Sequence, residues 1–299
     1  MPRVLAAADI GSNTAHLLVA ATDGELVMRL DNYNEWIPLG EVVSRVGAIP
    51  KEIVQQLVLV VREFRRISTA KAAESLYVFA TEGMRAASNH DEVLARIKEE
   101  TGVTVDLISP QREAELSYRG IQLDTKHLPI SLMLEVGGGS CQIGVVADGK
   151  LTEKQSLPLG TGRIIAESGL TTPCTPEAEA RARAYIRSQL DKVNIVVTGG
   201  IAASSGGVGR GLWRAVHPDG EKTIARIELD YLAWAASRLT IDRIVNRFSV
   251  KQKRAGTLLP GALVYAALMD HFGLDEIAIS EFGIREGAIL EMFRKEKRK

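Results

Sequence analysis

Two short stretches of this chain set one carboxylate beside a turn of small and hydroxyl-bearing residues. One is Asp9-Ile10-Gly11-Ser12-Asn13-Thr14 and the other is Glu135-Val136-Gly137-Gly138-Gly139-Ser140, each following an apolar run. Glycine lets backbone N–H groups turn inward with no side chain in the way, so such a loop can cradle a phosphate. Ser12, Asn13, Thr14 and Ser140 add side-chain donors for phosphate oxygens. The acid beside the second loop, Glu135, can hold a divalent cation that bridges to that phosphate. Taken singly, either stretch also suits a plain tight turn after a buried strand.

The elements that must position these loops follow one plan twice. With Asp9 superposed on Glu135, Gly11 falls on Gly137, His16 on Gln142 and Leu17 on Ile143. Strands are expected over 4–8, 16–21 and 26–30, with a hairpin turn at Asp23-Gly24; the second copy runs through 132–134 and 143–147 to Asp148-Gly149 and Leu151. This is an internal duplication. Between the copies, Ile53, Leu57, Val60, Val61 and Phe64 have helical spacing over 50–67, and 76–80 is a short strand. A helix over 91–101 ends at Gly102, and a strand occupies 103–108. Ser109-Pro110 starts a helix that carries Arg112, Glu113, Glu115 and Tyr118. In the second half we expect helices over 177–193, 229–240, 241–248, 260–272 and from Glu286 into a basic tail. Strands are expected over 195–197 and 277–279, with a glycine turn at Thr198-Gly199-Gly200. The run 206–211, Gly-Gly-Val-Gly-Arg-Gly, lacks a preceding strand in a clear βαβ unit and is expected to be a mobile loop.

Bulk properties narrow the classes. A chain of 299 residues favours two domains, here 1–124 and 125–299, with the last helix returning to pack on the first. The formal net charge of zero gives no global pull toward nucleic acid or membrane, so a polyanion site must come from local Lys and Arg clusters. The two cysteines, Cys141 and Cys174, form no C-x-x-C pair, which argues against a disulfide framework or a zinc site and suits a cytoplasmic setting. Asp9 interrupts the first apolar run before signal-peptide length, and no stretch is long enough to span a membrane.

Two acid-tipped strands with glycine turns, facing each other across a cleft, suit the actin-like ATPase-domain superfamily. The expected fold is therefore α/β, two actin-like ATPase (ribonuclease H-like) domains with an inter-domain cleft. A more specific resemblance runs through Ala8-Asp-Ile-Gly-Ser-Asn-Thr14, Ala80-Thr-Glu-Gly-Met-Arg85, Glu113-Ala114, Glu135-Val-Gly-Gly-Gly-Ser140, Ser156-Leu-Pro-Leu-Gly160, Leu259-Pro-Gly261 and Arg285-Glu-Gly. In that order these motifs resemble the Ppx/GppA family of exopolyphosphatases and guanosine pentaphosphate phosphatases, in a short two-domain form. The resemblance implies hydrolysis of a terminal phosphoanhydride with Mg²⁺ or another divalent cation, and it suggests a homodimer. It places Asp9 at the metal beside Glu135, Arg85 as a two-point phosphate clamp, Glu113 as the catalytic base that aligns water, and Arg254 as a further phosphate ligand. Inorganic polyphosphate is the first-choice substrate and guanosine pentaphosphate the nearest rival; no nucleic-acid or membrane partner is expected.

Three departures bear on the chemistry. Arg112-Glu113-Ala114-Glu115 swaps the charges flanking the base relative to the family's Glu-Glu-Ala-Arg. Glu135 replaces the usual Asp and is longer by one carbon–carbon bond, about 1.5 Å. Gln142 replaces a Glu and loses its charge. The last two support a rival reading, a phosphate- or nucleotide-binding sensor with little turnover. Arg243, Arg247, Lys251, Lys253 and Arg254 recur at near-helical spacing and are candidates for a polyphosphate track, with Arg163, Arg210 and Arg214.

Overall fold

The computed structural model describes residues 2–197 and 200–296. The chain divides into two compact units, Met1–Leu123 with Phe282–Lys299, and Asp124–Glu281.

In the first unit, β1 (Arg3–Ile10), β2 (Thr14–Thr22) and β3 (Val27–Trp36) form an antiparallel meander. Asp23 Oδ1 accepts the N–H groups of Glu25 and Leu26, both at 2.9 Å, and Gly24 supplies a φ of +98°, which fixes the first hairpin turn. After α1 (Leu39–Val46) and α2 (Lys51–Ala70), β4 (Leu76–Ala80) joins parallel to β1. Then come α3 (Glu82–Arg85), α4 (His90–Thr101), β5 (Val105–Leu107) and α5 (Pro110–Thr125). The sheet order is β3-β2-β1-β4-β5. β1 is apolar on both faces because helices cover both. One core packs Ala6, Ala8 and Ile10 with Leu57, Val61 and Phe64 of α2, and the other packs Leu5 and Ala7 with the C-terminal helix. The expected ends of α4 and α5 are where the cap chemistry puts them: Gly102 is left-handed, and Ser109 Oγ accepts the Arg112 N–H at 3.2 Å.

The second unit opens with the same meander, β6 (Ile130–Val136), β7 (Cys141–Ala147) and β8 (Lys150–Leu157), followed by α6 (Thr161–Ser168) and α7 (Pro176–Leu190). β9 (Ile201–Ser204) leads to α8 (Gly206–Val216), then β10 (Thr223–Ala225), α9 (Arg226–Ala236), α10 (Ile241–Phe248), α11 (Gln252–Phe272) and β11 (Glu276–Ile279). α12 (Ile284–Glu296) closes the first unit. The second sheet runs β10-β11-β9-β6-β7-β8, so β8-β7-β6-β9-β11 repeats the order of the first. The duplication also holds in register: Asp9 pairs with His16, and Glu135 with Gln142.

Two expectations are corrected. Residues 195–197 are not a strand; the central strand is 201–204, where Ala202, Ala203 and Ser204 are fully buried, while Thr198 and Gly199 of the expected turn lie outside the described residues. The run 206–211 is the first turns of α8 rather than a mobile loop. Its glycines serve close packing: a Cβ on Gly207 would lie 2.8 Å from the Arg254 guanidinium, and one on Gly209 would lie 3.0 Å from both Ser204 Oγ and the Tyr265 hydroxyl. Among the described residues no helix is long and apolar enough to cross a membrane.

Candidate active site

In the first unit the parallel pairing of β1, β4 and β5 brings Ile10 beside Ala80 and Ala80 beside Leu107. The segments that leave these strands therefore emerge at one edge of the sheet, the carboxyl end, where open α/β sheets place their ligands. They carry Asp9 to Thr14, Thr81 to Arg85, and Ile108 to Glu113. The Asp9 loop is closed by Gly11 N–H to Thr14 O at 2.9 Å, and its Ser12 carbonyl accepts the Gly40 N–H at 2.7 Å. A trans peptide points its C=O and N–H in opposite directions, so the N–H of Asn13 is aimed away from α1.

Arg85 and Glu113, widely separated in sequence, meet at this edge. Arg85 Nη2 donates to Glu113 Oε2 at 3.0 Å and to Glu82 Oε2 at 3.2 Å, while Nη1 donates to Ile108 O at 2.6 Å. Both paired side chains retain 16% exposure, enough for a ligand or water to reach them. Asp9 has a partner from the far end of the chain. Arg285 Nη1 donates to Asp9 Oδ1 at 2.5 Å and lies 2.7 Å from His16 Nδ1. A guanidinium only donates, so His16 Nδ1 is the acceptor and its proton sits on Nε2. No local signal reveals this contact, because 276 positions separate Arg285 from Asp9.

The second unit repeats the loop and changes its surroundings. Gly137 N–H donates to Ser140 O at 2.8 Å. The carbonyls of Gly137 and Gly138 accept from Thr161 at 3.0 Å and from Gly162 at 2.8 Å, so the N–H groups of Gly138 and Gly139 point away from α6. α6 can come this close because residue 160 is glycine; a Cβ there would overlap the Gly138 and Gly139 backbone. Gly40 plays the same part against Ser12. The shared signature, Pro38-Leu39-Gly40 and Pro158-Leu159-Gly160, was available in the sequence and extends the duplication beyond the hairpins.

Gln142 Nε2 donates to Ser140 Oγ at 3.2 Å and Ser156 Oγ at 3.1 Å, so the uncharged residue at this position orients the loop hydroxyl. Glu135 abuts Gly206, where a Cβ would lie 2.9 Å from Oε1, and Arg254 abuts Gly207. The start of α8 thus gathers the acid and Arg254, the arginine that the family resemblance places at phosphate. Behind it, the Tyr265 hydroxyl lies 2.6 Å from Ser204 Oγ and accepts the Val136 N–H at 3.3 Å. Burial raises the Tyr265 hydroxyl and the Cys141 thiol far above their ordinary ranges, so both stay protonated and neutral.

The expected basic track is not a continuous helix face. α10 stops at Ser249, which has a φ of +51°, and α11 begins afresh at Gln252. Arg247 donates to the Tyr231 hydroxyl at 2.5 Å and lies 5.7 Å and 5.9 Å from the centres of the Tyr231 and Phe248 rings. Arg210 donates to Glu281 O at 2.8 Å, and Arg163 lies 3.8 Å from Glu167. Arg214 is 3.9 Å from Glu281. Arg243, Lys251 and Lys253 are exposed.

Among the described residues no three His, Cys, Asp or Glu side chains converge as a ready-made metal cage. Mg²⁺ does not require one, since it commonly takes one or two carboxylates and fills the rest of its shell with phosphate oxygens and water. Each loop offers one such carboxylate, and the Oδ2 edge of Asp9 lies on the Gly11 side of its loop, 3.7 Å from where a Gly11 Cβ would be. The donor set fits a cation that arrives with a phosphorylated ligand.

A family model described as the Ppx/GppA phosphatase family matches residues 18–296. Exopolyphosphatase 1 of Mycobacterium leprae is 28% identical over 295 residues, covering 94% of this chain and 87% of the relative. An uncharacterised Streptomyces coelicolor protein is 30% identical over 297 residues, with 94% and 88% covered. The crystal structure of the Aquifex aeolicus Ppx/GppA family member superposes with a TM-score of 0.84 at 23% identity over 99% of both chains. An exopolyphosphatase from Cytophaga hutchinsonii gives 0.85 at 20% identity over 98% of both. The strand order of both sheets, the duplicated loops and a match over nearly the whole length agree: the chain belongs to the Ppx/GppA phosphatase family.

Proposed function

We propose that this protein is an exopolyphosphatase that hydrolyses the terminal phosphoanhydride of inorganic polyphosphate and releases orthophosphate. The observation that carries this reading is the Arg85–Glu113 pair at the carboxyl edge of the first sheet, on the same edge as the Asp9 loop. Glu113 orients the attacking water and accepts its proton, while Arg85 holds the Glu113 carboxylate in place and sets its positive charge beside the transferred phosphoryl group. The N–H groups and hydroxyls of Gly11 to Thr14 and of Gly137 to Ser140 bind phosphate oxygens, with Arg254 beside the second loop. Asp9 in the first unit and Glu135 in the second are each a carboxylate that would hold a divalent cation, and such a cation would supply positive charge against the phosphate.

The names of the mycobacterial relatives support polyphosphate as substrate. Phosphate release from long-chain polyphosphate and from guanosine pentaphosphate, each with Mg²⁺ present or chelated, tests the assignment. Release from polyphosphate that depends on Mg²⁺ and fails in Glu113→Gln is the expected result. Faster release from guanosine pentaphosphate would reassign the substrate. Ligand binding without release from either would make the protein a sensor.

A further inference from the structure

The swapped charges around Glu113 have a structural counterpart on α12. Arg112, Leu116 and Arg119 lie at i, i+4 and i+7 of α5 and so share one face, with Glu113 about 100° around the helix. That face meets α12 through backbone. A Cβ on Gly120 would overlap the Gly283 carbonyl, and one on Gly287 would overlap the Leu116 carbonyl. Farther along the crossing, Glu291 of α12 takes both cations of that face: Arg112 Nη2 donates to Oε1, and Arg119 Nη1 donates to Oε2 at 2.8 Å. Lys295 Nζ adds a third contact to Oε1 at 2.8 Å. The Glu291 carboxylate is 12% exposed and so is shielded from solvent, whereas Lys295, at 73%, is not. Leu116, Ala288, Ile289 and Phe293 fill the apolar layer of the same crossing.

α12 also carries Arg285, which holds Asp9 and His16 from the other end of the helix. One helix therefore grips β1 through Arg285 and the first turns of α5 through Glu291. We infer that Glu291 is a positioning residue for the reaction: by clamping Arg112 and Arg119 it fixes the rotation of α5 and so the direction in which Glu113 presents its carboxylate. The inference rests on the reading of Glu113 as catalytic base. The flanking cation that departs from the family pattern, Arg112, is on this account part of the clamp rather than a ligand for phosphate.

The mechanism predicts a loss in turnover without a loss in binding. A displacement of the base of ~1 Å costs roughly 10²-fold in rate, and a relaxed α5 gives a fraction of that shift. Glu291→Gln is therefore expected to lower kcat on polyphosphate about tenfold with KM little changed. Glu291→Asp, which keeps the charge, should recover part of the loss. Arg112→Gln combined with Glu291→Gln should be no slower than the worse single variant, since both break one clamp. Urea unfolding of each variant separates positioning from folding. If Glu291→Gln proves too unstable to assay, Arg119→Lys, which keeps the charge and loses the fork, should give a smaller fall in kcat alone.

Unchanged kcat in Glu291→Gln, with Glu113→Gln inactive, would overturn the clamp and leave the base intact. An equal fall through KM would assign Arg112 to phosphate binding and also overturn it. Full activity in Glu113→Gln would remove the base reading on which the clamp depends.

Discussion

The Asp9 and Glu135 hairpins share a backbone and differ in their company. Both turns close with one N–H···O bond of 2.8–2.9 Å between residues three apart, and both carry a glycine from the following Pro-Leu-Gly pressed on the loop. In the first unit the acid is gripped by Arg285, and the neighbouring strand ends deliver the Arg85–Glu113 pair. In the second the acid lies against Gly206 at the start of a helix, above the neutral Cys141 and Tyr265. Duplication thus conserved the turn proposed to bind phosphate, which needs only backbone N–H groups. The charged side chains around it diverged, because they depend on what the adjacent strands and helices bring.

The most severe test of this asymmetry is to remove the base. Glu113→Gln should lower kcat by about 10²–10⁴-fold, whereas Ser140→Ala in the other loop should act mainly on KM; an equal fall in kcat for both, measured by phosphate release, would show that the second loop shares the chemistry. Next in size is the fit of each Pro-Leu-Gly glycine. Gly160→Ala places a methyl in backbone and should destabilise the protein by about 1–3 kcal/mol. Gly40→Ala meets the Ser12 Cβ at 2.7 Å, a milder overlap than the 2.3 Å at Gly160, so urea unfolding should show a smaller loss.

A smaller effect is expected where the second loop departs from its family. Glu135→Asp retracts the carboxylate by about one bond length, and an Mg²⁺ titration of activity should show a shift of up to about tenfold in half-saturation. No shift would mean that Glu135 contributes nothing to a cation. The smallest effect belongs to acid pH. Burial alone would raise the Glu291 carboxyl, but hydrogen bonds and charge from Arg112 and Lys295 outweigh it and lower it in the folded state. A lowered carboxyl contributes stability that is present above the unfolded carboxylate range and lost as pH falls through its folded value. The stability gap between wild type and Glu291→Gln should therefore close on acidification; a gap constant with pH would mean that the clamp is not ionic.

The two candidate loops were legible in one dimension because their logic is local. Glycine and hydroxyl turns announce themselves by residue type, and the offset between Asp9 and Glu135 exposes the duplication. Helix ends at Gly102 and Ser109 followed from capping chemistry. The strand at 201–204 was missed because Ala-Ala-Ser is small and weakly apolar; it is a strand only because β6 and β11 flank it. The glycines of 206–211 looked flexible for the same reason that they pack closely: the absence of a Cβ has both consequences, and only the neighbours Arg254, Ser204 and Tyr265 decide between them.

By itself, the sequence determined the two phosphate-loop candidates, the acids that tip them and the α/β class. These depend on residue type and short spacing, where backbone sterics and hydrogen-bonding capacity act within a few residues; Glu113 and Arg85 stood out only through the order of motifs shared with the family. Only the tertiary structure decided that Glu113 faces Arg85, that Arg285 holds Asp9 and His16, that Gln142 orients Ser140, and that Glu291 ties α5 to α12. Each of these is a contact between charged or polar groups on different strands or helices. Its geometry is set by sheet order and by backbone approach at glycines such as Gly120, Gly160 and Gly287, neither of which can be summed from local preferences.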